Sequence, residues 1–530
     1  MANQPNLVLS PGTPLLHRHN FPPGFVFGTS SSAYQYEGAV ENRGKNIWDS
    51  FTRIPGKIKD GSNGDIAVDS YHKFEEDVAC MKRMGVDAYG FSISWSRILR
   101  GGNLSEGVSS EGIKYYKNLI KKLLDNGIEP VVTLFHWDLP QPLENAYGGF
   151  LSHKIVADFC IYADFCFKTF GDQVKNWVTL NEPSCYSSGG YATGSLAPGR
   201  GASAQGHATV SLAPGHVSSL PRHSNMGIIP PTWGRYTSWQ PSCNNGGDKG
   251  IELGDSGTEP YLVTHHQLLA HAAAVKLYRE KYQASQKGKI GIKLMVVWME
   301  PLTESKGNRD AALRALDFLY GWFMDPLTNG DYPHSMRTRV GNRLPKFSSI
   351  ESMMVKGSFD FIGLDYYTAR YAANEPNCTG KPSYLTDSGA QLLTERNGIP
   401  IGPKAGSDWL YVYEKGIWDI LLYTKRKYNN PLVYVTENGV DEANEPTLSL
   451  PQACIDIHRI DFHYKHLCFV KRAIEDGANV KGYFAWSLMD NFEWSEGFTV
   501  RFGINYVDFK NGLKRYPKLS SVWFNVLLKK

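Results

Sequence analysis

Pro130-Val131-Val132-Thr133-Leu134-Phe135 and Trp177-Val178-Thr179-Leu180-Asn181 are two short apolar runs, separated by a longer stretch, His153–Phe170, with helical spacing. Each run has the length and composition of a strand buried on both faces. The connection is long enough for a crossover helix, so the three segments read as one parallel βαβ unit. Working outward, the same alternation recurs. Strands are predicted at Phe25–Thr29, Ala88–Trp95, Ile290–Val297, Phe361–Tyr366, Leu432–Thr436 and Gly482–Ser487. Helices are predicted at Ser70–Met84, Ser109–Asn126, Tyr261–Tyr282, Arg309–Phe323, Lys415–Tyr428 and Ile455–Asp476. Eight such units with right-handed crossovers close into an α/β fold, a (β/α)8 TIM barrel with long loops on its C-terminal face. An open doubly wound sheet is the competing topology, but no Gly-x-Gly-x-x-Gly follows the first strand to offer a nucleotide site.

At 530 residues the chain would hold three or four domains of about 150 residues. The barrel reading replaces these with one domain over 21–530, preceded by an extension over 1–20. An irregular insertion at about 201–254, rich in Gly, Ser, Pro and Asn, interrupts the domain. The 42% hydrophobic and 20% charged fractions exclude a disordered chain. A net charge of +4 excludes the dense basic face that nucleic acid or an anionic membrane requires. A small-molecule partner is expected, and homo-oligomerisation is left open. No stretch approaches a membrane span, and residues 1–22 carry no apolar run of signal-peptide length. The expectation is an intracellular protein or a mature form already trimmed. The eight cysteines are scattered without a Cys-x-x-Cys pair, so neither a zinc site nor a disulfide framework is expected. The aromatic fraction of 13% serves a core first, though Trp and Tyr faces also suit the C–H face of a pyranose.

Active sites of such barrels form at the C-terminal strand ends, and the polar residues there make a consistent set. Gln35 follows the first strand, His136 the third and Asn181-Glu182-Pro183 the fourth; Tyr366 and Tyr367 end the sixth, Glu437-Asn438-Gly439 the seventh, and Trp486 the eighth. Glu182 and Glu437 would therefore approach from opposite walls of one mouth. Two carboxyls facing across a sugar suit glycosidic cleavage, one donating a proton and the other meeting the charge that develops at the anomeric carbon. On spacing alone, a pair of helix-capping or surface glutamates explains them equally well.

Several motifs go further: Phe27-Gly28-Thr29 through Gln35-Tyr36-Glu37-Gly38, Thr133-Leu134-Phe135-His136-Trp137-Asp138, Thr179-Leu180-Asn181-Glu182-Pro183, Tyr434-Val435-Thr436-Glu437-Asn438-Gly439 and Trp486-Ser487-Leu488-Met489-Asp490-Asn491-Phe492-Glu493-Trp494. Together they resemble the plant β-glucosidases of glycoside hydrolase family 1 that act on cyanogenic and other specialised-metabolite glucosides. The resemblance runs from Phe21 to Lys518 apart from the insertion. It implies a retaining O-β-glucosidase with Glu182 as acid/base, Glu437 as nucleophile and Tyr367 supporting it. It also implies sugar contacts from Gln35, His136, Asn181, Trp486, Glu493, Trp494 and Phe502, and no cofactor or metal, since two carboxylates suffice.

Three positions depart from the family pattern. Gly90 stands where the family has the arginine of Tyr-Arg-Phe-Ser, which pairs with the nucleophile. Its absence is expected to leave a void and a looser Glu437 with a raised pKa, so that turnover is impaired and Gly90→Arg would raise it. A glucoside-binding relative without turnover and a transglucosidase are the alternatives. Asp365 replaces an asparagine and brings another carboxylate toward the pair. Ser184, where relatives often have tryptophan, is expected to widen the aglycone wall.

Overall fold

The structure, a computed structural model, describes residues 16–201, 254–375 and 380–529. Except at its two ends, the predicted insertion lies outside the described residues, as do Cys243 and Cys378. Eight strands form the barrel: β1 (Val26–Ser30), β2 (Ala88–Ser92), β3 (Glu129–Phe135), β4 (Asn176–Asn181), β5 (Lys289–Pro301), β6 (Phe361–Asn374), β7 (Val433–Asn438) and β8 (Val480–Ala485). Each pairs in parallel with the next, and β8 returns to β1, so the sheet has no open edge among these strands. No helix among the described residues is long and apolar enough to cross a membrane.

The helices between the strands follow from local chemistry. In Ser110–Asp125, Ser109 caps the N-terminus by accepting from the Gly112 N–H, and Tyr115, Tyr116, Leu119, Ile120 and Leu123 bury one face. Ser70–Met84 stops at Gly85, whose φ of 79° suits a residue without a side chain. The second strand ends three residues before its predicted limit. Trp95 instead begins a helical turn, stacking on Tyr162 at 4.7 Å and donating its indole N–H to the Gly102 carbonyl. β5 and β6 overrun their predicted ends, continuing as a paired ribbon to Pro301 and Asn374, which Ala390–Leu393 extends antiparallel.

The barrel interior is packed from the N-terminal end. Ala88, Val131, Val178, Phe361 and Phe484 cluster there with Val26 and Tyr434. Side chains alternate along a strand, so two residues further the inward positions are Gly28, Gly90 and Gly363, and above them stand Ser30 and Asp365. Polar side chains thus begin where the apolar plug ends.

The segment after β8 is pinned from below. Asp490, fully buried, accepts from Arg501 Nη1 at 2.5 Å, Lys518 Nζ at 2.9 Å and the Gly503 N–H at 3.0 Å. Removing one member of such a network strands its partners, at a cost of about 3–5 kcal/mol. Asp490→Ala is therefore expected to lower unfolding stability in urea by that amount, and an unchanged midpoint would show that the network does not hold the segment.

Candidate active site

Glu182 caps helix Pro183–Tyr191 from the end of β4, with a left-handed backbone (φ 40°), and its N–H donates to the Lys293 carbonyl at 3.0 Å. Trp137 (φ 71°) and Trp494 (φ 50°) share that backbone region, which is unfavourable for bulky residues and is held here by the surrounding packing. Trp494 lies 4.5 Å from Trp48 and 4.6 Å from Trp137, ring to ring, and Trp137 donates its indole N–H to the Asn181 carbonyl. The strand-end geometry thus sets the strained turns, and aromatic packing keeps them.

A cavity of about 500 Å³ opens at this end of the barrel. Of the residues predicted from sequence, His136, Glu182, Tyr367, Glu437, Trp486, Glu493, Trp494 and Phe502 line it. Gln35 and Asn181 are buried behind that wall. Gln35 Nε2 donates to Asn491 Oδ1 at 3.0 Å and the Phe492 carbonyl at 2.9 Å, and reaches Glu493 Oε2 at 3.4 Å. Asn181 Nδ2 donates to His136 Nε2 at 3.2 Å, which leaves the imidazole proton on Nδ1. Burial, then the nearby Lys293 ammonium, holds His136 well below the usual imidazole range, so the ring is neutral. Ser184 does not line the cavity, whereas its neighbour Cys185 does. Beyond the acids the walls are mixed, with Leu196, Met295, Met299, Phe318, Leu319 and Trp409 beside polar groups that include Arg370, Glu375 and Gln391.

One carboxylate oxygen from each of Glu182, Asp365 and Glu437 lies within 4.8 Å of the other two. Tyr367 Oη donates to Glu437 Oε2 at 2.8 Å, and Lys293 Nζ stands 3.5 Å from Oε1. Burial raises the Glu437 pKa, while Lys293 and Tyr367 pull it back. Glu182 is pushed well up by burial and then by Glu437 and Asp365. Asp365 is pushed well up by burial and by Glu437. The environments separate the group: Glu437 ionises first, and Glu182 and Asp365 keep protons. Three oxygens at this spacing could meet a divalent cation, but the Lys293 ammonium already faces Glu437 and would repel one.

Position 90 supplies no cation and the Glu437 pKa is raised, as expected, but a cation from another strand, Lys293, stands beside the carboxylate. A Cβ on Gly90 would meet Ser30 Oγ at 2.7 Å, and that hydroxyl donates to the Thr436 carbonyl at 2.9 Å. Ser30 thus occupies the space immediately beside Gly90, and a cation reaches Glu437 from β5. Gly90→Arg on its own is thus no longer expected to raise turnover. The sequence did hold a signal: a lysine midway through Ile290-Gly291-Ile292-Lys293-Leu294-Met295-Val296-Val297, a run otherwise fit for full burial.

A family model described as Glycosyl hydrolase family 1 matches residues 17–530. β-Glucosidase 24 of Oryza sativa subsp. japonica is 56% identical over 97% of this chain and 94% of that protein. Raucaffricine-O-β-D-glucosidase of Rauvolfia serpentina is 53% identical over 99% of this chain and 94% of that protein. The structure of a mutant rice Os3BGlu6 β-glucosidase in a covalent complex with glucose superimposes with a TM-score of 0.87. It is 46% identical and covers 97% of this chain and 100% of that one.

The Asp365 proton has a pH signature. Its folded pKa lies well above the ordinary 3.8, so between these values the unfolded chain releases a proton that the folded chain keeps, and stability is lost as pH rises. An asparagine side chain has no such proton. Asp365→Asn is expected to gain stability over the parent as pH rises from about 4 to about 8, read from urea midpoints at each pH. A difference that stays constant with pH would show an ionised Asp365.

Proposed function

The chain belongs to glycosyl hydrolase family 1, and we propose that it is a retaining β-glucosidase hydrolysing O-β-D-glucosides of plant specialised metabolites with apolar or aromatic aglycones. The observation that carries this reading is the approach of one Glu182 carboxyl oxygen to within 4.8 Å of one from Glu437. Retaining enzymes hold their two carboxyls about 5–5.5 Å apart, whereas inverting enzymes need about 6.5–9.5 Å to admit a water between them.

In the first step a Glu437 oxygen forms a bond to the anomeric carbon as the glycosidic C–O bond breaks, and Glu182 gives its proton to the departing oxygen. Glu182, now a carboxylate, then takes a proton from water. The resulting hydroxyl oxygen attacks the same carbon, glucose leaves with its original configuration, and Glu437 is again a carboxylate. Burial keeps the proton on Glu182 until a leaving group needs it. Tyr367 fixes Glu437 Oε2 and aims the other oxygen. Glu493 offers two carboxyl oxygens to adjacent hydroxyls, with Gln35 Nε2 behind it at 3.4 Å, a design that rejects sugars lacking them. His136 would hold a further hydroxyl, with Asn181 set against it from behind the wall, and Trp486, Trp494 and Phe502 would give the ring apolar faces. The outer cavity has room for an uncharged aglycone, and curated relatives bear names such as raucaffricine glucosidase.

On 4-nitrophenyl β-glucoside, Glu437→Gln is expected to abolish turnover and Glu182→Gln to reduce it by about 10²–10⁴-fold. The pH profile should be bell-shaped, falling on the acid side as Glu437 gains a proton and on the alkaline side as Glu182 loses one. Proton NMR should detect β-glucose before mutarotation. α-Glucose as the first product, or turnover surviving Glu437→Gln, would refute the assignment.

A further inference from the structure

Lys293 is a charged side chain in the interior of a closed barrel. It stands on β5 between Gly291 and Met295, the other inward positions of that strand, and its backbone pairs with Gly363 of β6. A Cβ on Gly363 would lie 2.7 Å from Lys293 Cγ, so the glycine on the neighbouring strand is what lets the lysine stem rise toward the mouth. At the top, Nζ stands 3.5 Å from Glu437 Oε1 with the two side chains only 2% and 4% exposed. Glu437 Oε1 has no hydrogen-bond partner among the described residues.

A buried carboxylate that must be ionised to attack needs a compensating charge, because an isolated ion in such a site takes up a proton instead. The groups facing Glu437 are Glu182 after β4, Asp365 and Tyr367 on β6, His136 after β3 and Glu493 after β8. Three of these are carboxyls, one is a phenol and one a neutral imidazole, so none supplies a positive charge. Lys293 alone does so among the ion pairs of Glu437 within the described residues.

We propose that Lys293 is the positioning cation of the nucleophile, delivered from β5 into the carboxylate cluster in place of any charge from position 90 on β2. The proposal rests on the reading of Glu437 as nucleophile. It also assigns the ammonium a second partner. When Glu437 becomes an ester its charge is consumed, and Glu182 has become a carboxylate by donating its proton. Lys293 favours the ionised form of Glu182 as well, and Glu182 is tied to the lysine backbone through its own N–H. The cluster thus keeps one ammonium opposite one carboxylate in both halves of the cycle, while the carboxylate changes identity.

The test compares Lys293→Met and Lys293→Arg with the parent on 4-nitrophenyl β-glucoside across the pH range. Lys293→Met is expected to lose roughly 100-fold in kcat/KM, the scale of a misaimed reacting group. Its acid limb should move to higher pH, because Glu437 without its cation takes up a proton more readily. The alkaline limb should move the same way by less, since Glu182 also loses a favourable charge. Lys293→Arg should hold the acid limb near its parental position. A further variant returns the cation to the opposite wall: with Lys293→Met in place, Gly90→Arg supplies it and Ser30→Ala removes the hydroxyl that a Cβ at 90 would strike. Recovery of the acid limb there supports the assignment. Folded Lys293→Met with parental kcat/KM and an unmoved acid limb would overturn it. If Lys293→Met does not fold, Lys293→Gln takes the same comparison with the same two outcomes. Turnover by the parent, and its loss in Glu437→Gln, tests the β-glucosidase reading separately.

Discussion

Three buried carboxyls share one ammonium at the mouth of the barrel, and the rest of the site depends on how that charge is divided. Buried with oxygens within 4.8 Å of one another, Glu182, Asp365 and Glu437 cannot all ionise. Lys293 and Tyr367 both act on Glu437 and make it the member that gives up its proton. The same burial that makes ionisation costly for Glu182 makes it a useful acid near neutral pH. Asp365 with its proton retained presents a neutral group, accepting from Thr436 Oγ1 at 2.6 Å, and so adds no second negative charge beside Glu437.

The fold makes this division possible by layering the barrel. An apolar plug at the N-terminal end excludes water from beneath the acids, and glycines at the middle level leave room for Ser30 and the Lys293 stem to rise. The acids sit where strands end, so each is aimed by a strand and by the turn that follows it. The segment from Trp486 to Trp494 closes the opposite wall and is fixed through buried Asp490 by Arg501 and Lys518. Stability and the cavity wall thus meet in one loop, whose anchoring residue is also part of the motif that carries the cavity-lining Glu493 and Trp494.

Much of this was legible in the chain. The alternation of short apolar runs with helical stretches predicts all eight strands, because strands buried on both faces leave an unmistakable apolar signature. Strand ends were less legible: Trp95 leaves the sheet to stack on Tyr162, and β5 and β6 continue past the barrel through pairing with each other. Position at strand ends left Glu182 and Glu437 open to a capping or surface reading, and the surrounding family motifs, not the spacing, singled them out. What the sequence concealed was which wall supplies the cation. Gly90 reads as a loss when only its own position is considered, and Lys293 lies more than two hundred residues away in the chain. Only closure of the barrel brings both to the same carboxylate. The helical turn after Glu182 puts Cys185, not Ser184, on the cavity wall.

The central claim is that Glu437, and not its carboxyl neighbour Asp365, is the carboxylate that bonds to the sugar. The most direct measurement is mass spectrometry of proteolytic peptides after incubation with a 2-deoxy-2-fluoro-β-glucosyl fluoride, which forms the glycosyl-enzyme readily and releases it slowly. The account predicts one fluoroglucosyl adduct, located on Glu437. Adduct on Asp365 or Glu182, or a hydrolysed probe with no adduct at any carboxyl, would contradict it.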